Sequence, residues 1–396
     1  MPSDQGLRVV QVTGRSVGGA AEHVLLLTRL LGQQGVEVQV ALFGAGPLDD
    51  ALRATGRPVH QLLPGARGGA AAAWTAGPVG LATGFVRLVR LLRREPVDIV
   101  HTHTSVAGVV GRAAAVVARV PVRVHMMHSV PGAHPGPRWR RAAGRWAERL
   151  LARVTTAYVA GSHAAAAMLR DGLPRRAPEV VTIHYSFDPE AMAGGVAAAA
   201  LRRSAWHPEG DEVVVGIVGR LEPQKGVLEL LPALPPLLGA SPRTRVVLVG
   251  DGSLRPEIER SLTSLGIAHR VLLTGWVERG GEVMPALDVL ALPSRWEPFG
   301  IVNLEAAAAG VPVVAYAVDG VPEVVADGVT GVLVPPGDSA AFVAALGRLC
   351  ADRPRRAALG AAGRARLDAE FLPAAMAAAH LDLYLRLSDA DSPASG

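Results

Sequence analysis

The chain has 396 residues, 49% of them hydrophobic and 19% charged, a globular balance too long for one ordinary core, so two domains are expected. Lys+Arg of 40 against Asp+Glu of 35 leaves +5, a mild excess that suits an anionic ligand, and no Lys/Arg-rich block with interleaved aromatics points to nucleic acid. Cys350 is the only cysteine, which excludes an intrachain disulfide; with no signal-peptide pattern at Met1–Gly6 and no stretch that reads as a spanning helix, a cytoplasmic location is expected.

Short β-branched runs alternate with longer Ala/Leu-rich stretches. Leu7–Val12 reads as a strand, Glu22–Gly32 as a helix and Glu37–Phe43 as the next strand. Residues 64–84 are rich in Gly, Ala and Pro, show no clear period, and read as a mobile loop. The strands Asp98–His101, Arg123–Met126, Thr156–Ala160 and Val180–Ile183 follow, with the helical pattern Ala107–Ala118 among them. Met192–Asp211 reads as an interdomain linker. The alternation restarts with Val213–Val218, Arg245–Val249, Val271–Thr274, Val289–Leu292, Val313–Ala315 and Gly331–Val334. The polar tail from Ser388 reads as disordered. Such alternation predicts α/β architecture, with two doubly wound parallel-sheet domains. Their ligand crevices are expected at the carboxyl ends of the strands, which would make a deep cleft if the domains faced one another.

Among 40 cationic side chains one is a lysine, Lys225, in Gly219-Arg220-Leu221-Glu222-Pro223-Gln224-Lys225-Gly226 just after the strand Val213–Val218. Lysine is a compact point charge and arginine a planar fork, so the exception suggests a site that needs the compact cation. The second informative stretch is Ser294-Arg295-Trp296-Glu297-Pro298-Phe299-Gly300-Ile301-Val302-Asn303-Leu304-Glu305-Ala306. Here a strand ends and a helix is expected to begin near Phe299 or Gly300. Backbone N–H groups at that start would face an anion. Glu305 would lie about 7 Å further along the helix, the offset that separates a phosphate from its ribose. Glu297 would point to the far side of the phosphates.

This stretch resembles the glutamate–seven residues–glutamate motif of the retaining glycosyltransferases of family GT4, which have the GT-B fold. The likeness continues through Glu305–Ala315 and Asp319–Gly331, and it includes Val218–Leu221 with Lys225-Gly226, Val249–Gly252, Gly18–His23 and Asp98–His103. It covers nearly the whole chain. It implies two Rossmann-like domains, an acceptor-binding domain at 1–207 and a nucleotide-sugar-binding domain at 208–372. A helix at 373–388 would return to the first domain, ahead of a disordered tail at 389–396.

Carried over by position, the resemblance makes Arg220 and Lys225 the cations of the leaving diphosphate, and gives Glu305 the ribose hydroxyls and Glu297 the donor sugar. Gly219 belongs to the diphosphate turn. The backbone of Phe299, Gly300 and Ile301 would touch sugar and phosphates. Gly18 and Gly19 would let the first-domain loop close, Trp276 and Val277 would line the base, and His128 would lie near the reacting carbon. No Asp-x-Asp stands at a strand end to hold Mg²⁺, so no metal and no cofactor beyond the nucleotide sugar are expected. His101 and His103 alternate along a strand, and at most one is expected to face the cleft.

One departure is Tyr185-Ser186-Phe187-Asp188, where the family commonly has an Asn-Gly turn. Arg138–Arg153 is a basic amphipathic helix with Arg138, Arg141, Arg145 and Arg149 on one face and Trp139, Trp146 and Leu150 towards another. It is read as an ordinary domain helix in preference to a membrane anchor. The expected activity is metal-independent, retaining transfer from a nucleoside-diphosphate sugar, UDP-GlcNAc or UDP-glucose, to a small polyhydroxylated or aminocyclitol acceptor, as in antibiotic biosynthesis. The expected partners are that donor and that acceptor. Asp49, Asp50, Glu95, Asp98 and Glu148 are candidates to meet an amine on the acceptor. The alternatives are a lipid or polysaccharide acceptor at a membrane surface, a GT-B sugar-nucleotide epimerase, and a non-catalytic nucleotide-sugar binder.

Overall fold

A computed structural model of the chain describes residues 6–14, 18–63, 77–133, 135, 137–188, 206, 212–277 and 280–391. The expected linker lies outside them except for Trp206, which is buried. The chain divides into two compact units, with Tyr185 and Ser186 falling on opposite sides of the division. The C-terminal Pro373–Asp391 helix belongs to the first unit.

The first unit holds seven parallel strands: β1 (Arg8–Thr13), β2 (Glu37–Leu42), β3 (Val59–Gln61), β4 (Ile99–His103), β5 (Val122–Met127), β6 (Ala157–Ala160) and β7 (Glu179–Thr182). Their order is β3-β2-β1-β4-β5-β6-β7. The second unit holds β8 (Val213–Val218), β9 (Thr244–Val249), β10 (Val271–Gly275), β11 (Val289–Leu292), β12 (Val313–Tyr316) and β13 (Gly331–Val334), in the order β10-β9-β8-β11-β12-β13. Both sheets are doubly wound. Each has a point where the strand order reverses, between β1 and β4 and between β8 and β11, and ligands bind outside the carboxyl ends there.

With 4% aromatic residues the cores are built from Val, Leu and Ala. Small residues bring helix and sheet together. Gly111, on the Ser105–Val117 helix, lies so close to β4 that a Cβ there would stand 2.5 Å from the Thr102 methyl. Gly108 sits equally close to His125 of β5, whose ring is buried and bonded at Nδ1 to the Thr102 hydroxyl at 2.8 Å.

Three readings of the sequence change. β3 was not anticipated, because three residues are too few to show a period. Residues 77–84 are not loop but the first turns of the Gly77–Arg94 helix, anchored by buried Leu88, Val89 and Leu92, with Gly84 fitted against Phe43. Residues 64–76, the rest of that expected loop, lie outside the described residues. The helix that starts at Pro373 continues to Asp391, past the expected start of the disordered tail at Ser388, and residues 392–396 lie outside the description.

Candidate active site

In the second unit the loops after β8 and β11 are neighbours because their strands are. The chain leaves β8 through Gly219 at φ 147° and makes a single 3-10 turn, Pro223–Lys225. It then enters the next helix through Gly226 at φ 64°. A Cβ on Gly226 would lie 2.0 Å from the Pro293 carbonyl oxygen, so only glycine fits. Arg295 N–H donates to the Gln224 carbonyl at 2.8 Å and the Gln224 amide to the Trp296 carbonyl at 3.2 Å, stitching the two loops together. Within this frame Lys225 Nζ lies 2.5 Å from Glu297 Oε2, both side chains being largely buried.

Glu297 is held from two further directions. Ser294, fully buried, donates its hydroxyl to Oε2 at 3.2 Å, and the Glu297 N–H donates to Asp319 Oδ2 at 2.8 Å. Asp319 is itself at φ 41°. Neither Ser294 nor Asp319 was picked out as a site residue from the sequence. Their signal was only membership of the two motif stretches.

The helix after this loop begins at Ile301, two residues past Phe299, because Gly300 takes the left-handed conformation at φ 84° and acts as its N-cap. No side-chain hydrogen bond caps that end; Asn303 N–H donates to the Gly300 carbonyl at 2.9 Å, and a helix start of this kind directs its earlier N–H groups towards an anion. Phe299 is buried and meets Phe371 edge to face at 6.0 Å. Asn303 is 1% exposed, with neither amide atom hydrogen-bonded among the described residues. A Cβ on Gly300 would lie 2.6 Å from its Nδ2. Glu305 is buried on the second turn, beside Gly281. Arg220 is exposed on the loop after β8. There it lends its charge to Glu222, whose carboxyl is held below the usual range first by the Ser253 N–H. Trp276 stands at the end of β10, 49% exposed, with Val277 half-buried after it.

In the first unit Gly18, at φ 82°, caps the Gly19–Gln33 helix that follows β1. His128 follows β5 directly. Its Nδ1 is 2.6 Å from the Tyr185 hydroxyl and its Nε2 3.2 Å from His103 Nδ1. His103, His101, His23 and His380 are buried beside it, with His23 centred 5.8 Å from His128 and 5.5 Å from His380. Burial, then mutual repulsion, holds His23, His101 and His103 well below the usual imidazole range, and burial brings His380 to about 4. These rings are therefore neutral at pH 7. The two strand neighbours His101 and His103 do not alternate in and out but are buried together. Residues two apart on a strand share a face, and the rings lie 4.2 Å apart.

Matches to known proteins cover both parts of the chain. Residues 17–207 match the family model of glycosyltransferase family 4, and residues 201–366 match that of glycosyl transferases group 1. A D-inositol 3-phosphate glycosyltransferase of Xylanimonas cellulosilytica is 32% identical over 97% of this chain and 98% of its own length. The chain belongs to glycosyltransferase family 4. A 2-deoxystreptamine glucosyltransferase of Streptomyces kanamyceticus is 30% identical to this transferase over 92% of the chain and 98% of its own. A crystal structure of Anabaena HepE in complex with UDP and glucose superposes with a TM-score of 0.80, covering 96% of this chain and 100% of that one at 23% identity. The fold of the transferase is GT-B.

The carboxylates offered for an acceptor amine differ in their surroundings. Glu148 of the transferase is buried against Arg112 (Nη1–Oε1 2.5 Å) and Tyr158, and Arg112 lowers its carboxyl to about 2 against the opposing effect of burial. Asp98 sits before β4, at the amino end of the strands, bonded to the Arg8 N–H at 2.8 Å. Both already have partners within the first unit. Glu95 accepts from Gln39, and Asp49 is buried against Arg53 and Gln61. Asp50 is exposed on the Pro47–Ala54 helix. The Arg138–Leu151 helix also departs from expectation. Arg141 and Arg145 turn back to the Gly132 carbonyl, while Trp139 and Trp146 stand 67% and 66% exposed. Among the described residues no helix is long and apolar enough to cross a membrane.

Proposed function

We propose that this transferase is retaining and needs no metal. In this reading it moves a sugar from a UDP-linked donor, UDP-GlcNAc or UDP-glucose, to a hydroxyl of a small polyhydroxylated or aminocyclitol acceptor, in antibiotic or related secondary metabolism. The observation that carries the donor half is the Lys225–Glu297 pair at the β8/β11 reversal, beside the uncapped helix start at Ile301. A departing diphosphate gains most from preorganised cations and N–H dipoles that need no rearrangement as charge develops. Lys225, Arg220 and that helix start supply them. Glu297 then addresses the donor sugar and Glu305 the ribose diol. Gly219 and Gly300 allow close backbone approach, and Trp276 and Val277 flank the base. His128 serves the reacting sugar, and Gly18 and Gly19 leave the loop after β1 free to approach the diphosphate.

The acceptor class is supported by two relatives, one named for D-inositol 3-phosphate and one for 2-deoxystreptamine, both polyhydroxylated rings. The test is a thermal shift with UDP-, GDP- and dTDP-sugars in the presence of a chelator, since saturating ligand raises stability in proportion to ln(1 + [L]/Kd). A shift with one UDP-sugar in chelator supports the reading. A shift that requires Mg²⁺ removes its metal-free part. Product NMR then reads the anomeric configuration.

A second reading, action at a membrane surface, draws on the two exposed tryptophans of the Arg138–Leu151 helix. Co-sedimentation with anionic vesicles that is lost in Trp139→Ser/Trp146→Ser would favour it.

A further inference from the structure

The reaction class accounts for His128 but not for what holds it. Tyr185 occupies the position where the family resemblance fails, and there it forms a contact of its own. Its ring is 5% exposed, stacks on His128 at 29° with centroids 5.7 Å apart, and meets His23 edge on at 5.1 Å. The slot is cut to fit: a Cβ on Gly161, after β6, would stand 1.9 Å from the Tyr185 ring. The hydroxyl at the ring's tip lies 2.6 Å from His128 Nδ1, and on the other side of that imidazole Nε2 lies 3.2 Å from His103 Nδ1.

We propose that Tyr185 is the positioning residue of His128, setting the pose and tautomer of that imidazole for sugar transfer. The inference rests on the reading that His128 serves the reacting sugar. A phenol can donate and accept, so two arrangements satisfy the line of atoms. In one, the Tyr185 O–H donates to Nδ1, and His128 Nε2–H donates to His103. In the other, His103 Nδ1–H donates to Nε2, and His128 Nδ1–H donates to the phenol oxygen. In both, each nitrogen of His128 has a partner and the ring plane is fixed. A group that meets a reacting carbon has to be held within about 0.5 Å of its working position, which a side chain on a strand end cannot do unaided. The proton of His128 then lies on the nitrogen that complements the direction in which the phenol points, so tautomer and phenol orientation change together. An asparagine in this place would be too short to combine the stacked ring with a hydroxyl at Nδ1.

The test uses the full-length enzyme with Tyr185→Phe, which keeps the ring and the Gly161 slot and removes only the hydroxyl. Turnover is expected to fall about tenfold at saturating donor, with the donor KM and the melting temperature close to wild type. In a His128→Ala background the same change should add nothing, because its effect passes through that imidazole. Histidine ring-nitrogen NMR, with the signal assigned by His128→Gln, should show the His128 tautomer pattern altered in Tyr185→Phe. Full turnover in Tyr185→Phe, or an equal loss in the His128→Ala background, would overturn the proposal. Normal turnover by His128→Ala, together with an altered His128 ring signal in Tyr185→Phe, would place the failure in the catalytic role of His128 and not in its contact with Tyr185.

Discussion

Lys225 Nζ and Glu297 Oε2 lie 2.5 Å apart although the residues are 72 apart in the chain. The lysine that carries the leaving-group charge in our reading is thus held by the carboxylate assigned to the donor sugar. Ser294 and Asp319 keep that carboxylate in place. Removing the lysine removes a preorganised cation and leaves a largely buried Glu297 without its partner. Lys225→Ala should lower turnover by about 10²-fold or more at saturating donor. Lys225→Arg should not restore it, since the compact ammonium is seated 2.5 Å from Glu297 in a largely buried pair and a longer planar fork cannot take the same position. Near-normal kcat in Lys225→Ala would refute the role.

Glu305 is assigned to the ribose, so its loss should be read in binding. Glu305→Gln should raise the donor KM about tenfold or more, as for loss of charged hydrogen bonds, with a smaller change in kcat. Calorimetry with a 2′,3′-dideoxyribose analogue provides the check. The analogue should bind wild type and variant alike, and a difference between them would place Glu305 elsewhere.

The buried histidines set the acid side of the stability profile. Their folded pKa values lie below the unfolded value of about 6.5, so the unfolded chain binds more protons below that pH. The contribution is complete above pH 6.5 and is lost as pH falls towards the folded values, about 4 for His380 and about 3 for His125. Urea midpoints should therefore fall between pH 7 and 5, and His380→Phe should flatten the slope by up to about 1.4 kcal/mol per pH unit. A flat wild-type profile over that range would contradict neutral burial. Glu148, held at about 2, acts lower down, between about pH 4.5 and 2.

Arg112 and Glu148 form a buried pair with no place in the proposed chemistry. Glu148→Gln should cost about 3–5 kcal/mol by leaving Arg112 uncompensated in an apolar interior. The joint replacement Arg112→Leu/Glu148→Leu should recover much of that, and neither variant should change the donor KM. Urea denaturation and initial rates measure both. A raised KM in Glu148→Gln would return that carboxylate to the list of acceptor contacts.

Several features were plain in the sequence because they are local. Val213–Val218 and Val289–Leu292 are strands with the expected bounds, since each is a β-branched or apolar run with polar or turn residues on both sides. Gly18 and Gly19 stood out as a glycine-rich turn after the first strand, and Gly18 takes a positive φ there. Residues 77–84 misread as loop because their helix is secured by packing against Phe43 and Leu62, which no local period displays. The outward turn of Trp139 and Trp146 was hidden for a related reason. Amphipathicity names two faces of a helix but not which of them its neighbours cover.

The sequence by itself determined most of the strand–helix order, the family and the stretch from Ser294 to Ala306 that carries the candidate site. It did so through periodicity, glycine placement and the choice of one lysine, all properties of neighbours along the chain. Only the tertiary structure decided that Glu297 faces Lys225, and that histidines from β4, the loop after β5 and two helices meet around His23 and His128. Those pairings follow from the strand orders β9-β8-β11 and β1-β4-β5. Parallel strands place the loops at their carboxyl ends side by side whatever their separation in sequence, and no local pattern records which strands are adjacent.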